Sequence, residues 1–261
     1  MADPKTYDGV GRCVYCGAAS YTKEANDPLA LEHIIPLALD GTLELPAASC
    51  QACERITGRI EQIVLRGSLR GIREHLGLKS RGKEGRPDTL PIFGVRNEGE
   101  KEQRFDVPIE DYPTTLLMLT AREALIFLPP GSPHDGQVWN YFATDIGKFV
   151  AKYGLHSFSH PALDAHSFLR MLGKIAHSFL TAEIGLGTFR PTLPDMILGK
   201  SEDFWRYIGG VDKPGPASEE LHEISIEPPR QHEGRSYHMV RLRLFARLGA
   251  PAYLIAAGEA L

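Results

Sequence analysis

Cys13, Cys16, Cys50 and Cys53 are the only cysteines of this chain, arranged as two Cys-x2-Cys pairs with Glu32-His33 between them. Two such pairs can supply four thiolates to one tetrahedral Zn2+, leaving no cysteine for a disulfide or a nucleophile. A four-thiolate site is closed, so this zinc is expected to be structural, and chemistry must come from residues it holds in place. His33 is the first candidate, because an imidazole with its ordinary pKa near ~6.5 can take a proton from water at neutral pH. A binding-only zinc ribbon stays open beside a catalytic reading.

The segment between the pairs reads LEHIIPLALDGTLELPAASC, with an acid-His pair, a Pro three residues after the His and a Gly turn before the second cysteine pair. Over residues 11 to 62 this resembles the HNH endonuclease family. The resemblance implies a ββα-metal unit, a short hairpin and a helix gripping a catalytic ion, bracketed by the zinc knuckles. By the same resemblance Glu32 takes the first metal-ligand position, His33 the general base, and Glu54 the second ligand position, where the family usually carries His or Asn. Carboxylate ligands at Glu32 and Glu54 suit Mg2+ or Mn2+. The family's middle Asn, which holds the His-bearing loop, would fall near Leu45 and Pro46, and no Asn occurs between Asn26 and Asn97. Either backbone groups orient His33 here or the site is degenerate.

The implied activity is metal-dependent hydrolysis of DNA phosphodiesters, which needs a base for water, a cation for the developing charge and a stabiliser for the leaving 3′ oxygen. The alternative is an inactive zinc-binding module that contacts nucleic acid or protein through the same scaffold. Nothing in the sequence separates a DNA from an RNA backbone.

Beyond Cys53 a helix is expected. At about 100° per residue, Arg55, Arg59, Arg66, Arg70 and Arg73 share one arc, beside an apolar arc of Ile56, Ile60, Ile63 and Val64. Leu65 and Leu69 fall off that apolar stripe, and Gly67 and Gly71 are points where the helix can break. Residues 55 to 86 hold nine Lys/Arg against three Asp/Glu, whereas residues 1 to 54 hold three against eight. The positive segment therefore adjoins the candidate site and suits a phosphate backbone. An ordinary solvated helix face is the other reading.

The elements that must position these residues belong to an α+β protein. The expected organisation is a zinc-knuckle HNH unit over 1–80, a basic Pro/Gly-rich linker over 81–112 and a carboxyl-terminal α+β part over 113–261. TTLLMLTAREALIFL reads as strand or buried helix, residues 162 to 183 as the clearest helix, and Pro194 to Tyr207 as another, closed by Gly209-Gly210. HEISIEP, SYHMVRLRLFAR and PAYLIAAGE read as strands. On the middle one Arg241, Arg243 and Arg247 either reach nucleic acid or line a solvated face. His156, His160, His166 and His177 match no ligand spacing; Lys174 and His177, three apart on the clear helix, share a face without an assigned role.

With 261 residues, 43% hydrophobic, 24% charged and net charge -4, the composition is that of a globular protein and argues against coating DNA by bulk charge. There is no membrane-length apolar run, no signal-peptide pattern at the first residues, and no nucleotide-loop or dinucleotide fingerprint. A cytoplasmic location is expected, since zinc-held thiols suit a reducing compartment. The expected partners are nucleic acid, DNA first, and a second copy or another protein through the carboxyl-terminal part.

Overall fold

The computed structural model describes residues 4–22, 27–78, 86–120, 123–132, 136–210 and 216–261. The chain opens with β1 (Lys5–Thr6), β2 (Ala30–His33) and β3 (Leu43–Ser49), then α1 (Gln51–Arg66) and α2 (Arg70–His75). β2 and β3 are antiparallel, with His33 opposite Glu44, and β1 joins β3 in parallel. The turn between β2 and β3 is tight. Asp40 adopts a left-handed conformation at φ 62, and a Cβ on Gly41 would lie 2.1 Å from the Ile35 carbonyl oxygen. Only glycine permits that approach, so the sequence Asp-Gly fixes where the chain leaves His33 and returns along β3.

β4 (Thr89–Val95) and β5 (Gln103–Pro108) form an antiparallel hairpin with β8 (Ser157–Ser159) beside β4. Most of the described part of the expected linker is therefore folded. Leu90, Ile92 and Val107 bury with Tyr112, Phe149 and Leu155 in a small core of their own. The alternation was hidden by Pro91 and Gly94 within the strand. Next come β6 (Thr115–Thr120), β7 (Gln137–Phe142) and α3 (Ile146–Tyr153). TTLLMLTAREALIFL thus starts as a strand.

α4 (Ala165–Ile184) matches the clearest helical periodicity, and the Asp164 side chain caps it by accepting from the Ser167 N–H at 2.7 Å. After it come β9 (Phe189–Pro191), α5 (Pro194–Ile197), β10 (Ile208–Gly210), β11 (Glu223–His232), β12 (Arg235–Arg243) and β13 (Tyr253–Ala260). The helix expected over 194–207 is only one turn long, because Gly199 turns left-handed at φ 75, and Gly209-Gly210 lie in a strand. A Cβ on Gly209 would meet the backbone of Glu123 and Ala124, so Gly209 serves close packing rather than helix closure.

β10, β13, β12 and β11 lie side by side, with β9 on β13. Arg243 is buried and donates to the Ala250 and Pro216 carbonyls, Arg241 pairs with Glu223, and Arg247 donates to the Glu219 carbonyl. These arginines bind their own chain. α4 fills the space between this sheet and the amino-terminal unit, and one continuous core runs from Cys13, Ile34, Val64 and Leu69 through Phe168 and Leu172 to Tyr253 and Ile255. The amino-terminal unit and the carboxyl-terminal sheet share that core through α4.

Gly41→Ala tests the tight turn. Displacing the Ile35 carbonyl should cost about 1–3 kcal/mol, read as a lowered denaturation midpoint at unchanged zinc content.

Candidate functional site

The four cysteines converge: their ligand atoms all lie within 4.8 Å of one another. Cys16 and Cys50 sulfurs are 3.6 Å apart, far beyond a disulfide and close to the ~3.8 Å edge of a tetrahedron with ~2.3 Å zinc–sulfur bonds. Cys13, Cys50 and Cys53 are buried and Cys16 is exposed. Burial and the neighbouring Cys13 push the Cys53 thiol up, and burial raises Cys13 as well. For Cys50 burial also acts upward, but the Cys53 backbone N–H and the adjoining thiols outweigh it and bring Cys50 below its ordinary value. Four sulfurs this close cannot all ionise unless a cation sits among them. The donor set fits Zn2+, held by Cys13, Cys16, Cys50 and Cys53.

α1 starts at this site with Cys50 as its N-cap. Arg55, Arg59 and Arg66 are exposed, Arg70 is half-buried, and none of the four makes an ion pair among the described residues. On the opposite side Cys53, Thr57, Ile60 and Val64 are buried. Arg73 is different: it is buried, with Nε donating to the Ala38 carbonyl at 2.7 Å and Nη1 to that of Leu65 at 3.0 Å. It therefore braces the turn after β2 and faces away from solvent. Ile63 is exposed and Leu65 buried, on either side of the Ile60–Val64 row within α1, and Leu69, beyond the end of α1 at Gly67, is buried as well.

The residues expected around one catalytic ion take three separate partners. Glu32 is buried and pairs with Lys174 Nζ at 2.6 Å. Glu54 is exposed and accepts from the Tyr21 hydroxyl at 2.7 Å. His33 Nδ1 lies 3.8 Å from Glu44 Oε1, and Glu44 also accepts from the Thr6 hydroxyl. Among the described residues, the four cysteines alone group as a metal set. Glu32 and Glu54 are engaged by different groups, Lys174 and Tyr21.

The carboxylate that does meet Glu32 is Glu61, two helical turns beyond Glu54. Lys174 bridges the pair, 2.9 Å from Glu61 Oε1, and donates to the His33 carbonyl and, at 3.2 Å, to that of Ile34. Burial pulls Lys174 down, but Glu32 and Glu61 outweigh it and hold its pKa above the ordinary value. Burial pushes the Glu32 carboxyl up, Lys174 draws it back, and Glu61 adds to the rise. Removing one partner from such a buried set typically costs ~3–5 kcal/mol.

Lys174 heads a polar stripe on α4. His177 Nε2 meets the Val14 carbonyl at 2.8 Å, and Ser178 hydrogen-bonds the Tyr15 hydroxyl at 3.0 Å. Both backbone contacts with the knuckle and with β2 therefore come from the carboxyl-terminal part. The available signal was a lysine, a histidine and a serine at i, i+3 and i+4 inside the most apolar helix. A second buried histidine, His222, joins the Leu39 carbonyl at 2.7 Å and accepts from the Phe245 N–H. No family model, curated protein or solved structure matches this chain.

Two predictions follow from these contacts. The purified protein should carry one zinc per chain, and Cys16→Ser should lower metal content by elemental analysis and expose the other thiols to a thiol reagent. Burial depresses His177 and His222 to about 4 each. Unfolded histidines bind protons from ~6.5 downward, so stability is full above pH ~6.5 and falls towards pH 4 by about 3 kcal/mol per histidine. His222→Gln should flatten this loss in denaturant titrations between pH 7 and 5 with zinc present.

Proposed function

We propose that this chain is a zinc-organised HNH-type nuclease acting on nucleic acid, DNA first, with His33 as its base. The observation that carries the reading is the presentation of His33. It ends β2, its ring faces Glu44 across the ladder, its carbonyl is held by Lys174, and the hairpin that bears it runs through the four-cysteine site into α1. This order of hairpin, knuckle and helix supports the ββα interpretation. His33 takes a proton from water as the water oxygen bonds to phosphorus. The bond from phosphorus to the 3′ oxygen breaks, and that oxygen takes a proton from solvent, leaving a 5′ phosphate and a 3′ hydroxyl.

Arg55, Arg59, Arg66 and Arg70 supply the substrate contact. Guanidinium groups without a carboxylate partner are available to phosphates, and such contacts are independent of base sequence. Because Glu32 and Glu54 are not gathered, no step is assigned to a Mg2+ or Mn2+ ion. One unit cuts one strand, so cutting both requires a second copy or a second event. Reduced thiols suit the cytoplasm. Among the described residues no helix is long and apolar enough to cross a membrane.

A second reading, an inactive zinc module for nucleic acid or protein contact, is favoured by one observation: Glu32 is neutralised by Lys174.

Nicking of supercoiled plasmid separates the two, measured with Mg2+, Mn2+, Zn2+ or EDTA for wild type and a zinc-loaded, folded His33→Ala protein. Nicking by wild type and a loss of about 100-fold or more in the variant is expected. Binding without nicking by both proteins would leave the second reading. Arg59→Ala should weaken DNA binding alike for unrelated sequences and flatten the slope of log affinity against log salt by roughly one.

A further inference from the structure

We propose that Lys174 is the positioning residue for His33, supplying from α4 the clamp on the His-bearing turn that no Asn supplies here. The inference rests on the nuclease reading for its meaning but not for its test. Lys174 Nζ donates to two consecutive carbonyls, those of His33 and Ile34, at the point where β2 ends. These carbonyls lie where the strand gives way to the turn carrying Pro36 and Asp40, and the Ile34 N–H bonds back to the Leu43 carbonyl. The backbone on either side of the His33 side chain is thus tied to β3 and to α4 together.

Glu32 and Glu61 serve the clamp. They hold the ammonium at 2.6 and 2.9 Å and keep it charged in a buried place, where an unpaired lysine would lose its proton. Lys174 is 1% exposed, so it cannot touch a phosphate and acts only through the backbone it holds. His177 and Ser178 fix the same helix to the knuckle at Val14 and Tyr15. The position of α4 therefore sets the position of His33.

The test compares two proteins of equal pocket charge, Lys174→Met with Glu61→Gln and Lys174→Gln with Glu61→Gln. Both variants lose the ammonium and the Glu61 carboxylate alike, which leaves Glu32 as the one ionisable group of the set in each. They differ in the amide: methionine offers no N–H donor, whereas glutamine offers one at nearly the length of the lysine. The Met protein should nick about 10- to 100-fold more slowly than the Gln protein, with KM for plasmid within about two-fold. In histidine-labelled protein, the His33 ring resonances should move towards those of a mobile, solvated imidazole in the Met protein and stay near wild type in the Gln protein.

Nicking and His33 resonances like those of wild type in the Met protein would overturn the proposal. If wild type does not nick, the nuclease reading fails, and the His33 resonances decide the clamp alone. Should the Met protein not fold, Lys174→Leu with Glu61→Gln takes its place. A mobile His33 ring in that protein supports the clamp, and a wild-type-like ring overturns it.

Discussion

The ammonium of Lys174 is the interaction on which the architecture turns. A lysine in the middle of the best-buried helix is costly, because its hydration must be replaced. Here two carboxylates from β2 and α1 and two backbone carbonyls replace it. Each of these groups comes from the four-cysteine unit, so the price of burying the charge is met only when that unit is docked on α4. The ion set specifies the docking, and the apolar core around it supplies the burial energy.

The zinc site and the ion set act on neighbouring ends of the same elements. The four cysteines gather the loop at Val14 and Tyr15 to the start of α1, beside backbone hydrogen bonds from Cys13 to Ala18 and from Val14 to Ala48. α4 then receives that loop through His177 and Ser178 and the end of β2 through Lys174. Arg73 closes the arrangement from α2 by holding the Ala38 carbonyl in the turn after His33. His33 thus stands on a hairpin braced from three sides, yet its ring lies at the margin of the unit beside Glu44. The His33 side chain keeps about 20% of its surface exposed above this braced backbone.

Local signals in the sequence read well where one element satisfies its own physics. The cysteine spacing, the helix containing Phe168 and Leu172, and the alternation from Val240 to Leu244 each report a local period. The hairpin at Leu90 and Val107 was obscured because glycine, proline and charge surround a short alternation. The partner of Glu32 could not be read at all. Lys174 lies more than a hundred residues away, and its role depends on how α4 crosses β2, which no local pattern encodes. Arg73 shows the same limit: helical phase placed it with the other arginines until Gly67 broke the phase.

Glu61, rather than Glu54, as the companion of Glu32 bears on the chemistry itself. Glu54 sits in the first turn of α1, where a carboxylate is favoured by the unpaired N–H groups of the helix start, and its bond to Tyr21 holds it at the surface. Glu61 sits two turns lower on the side facing α4, where a carboxylate is tolerable only beside a cation. The helix therefore divides its acids by depth, one towards solvent and one towards Lys174. A divalent ion at Glu32 would have to compete with an ammonium held within 3 Å of both the buried Glu32 and the half-buried Glu61 carboxylates.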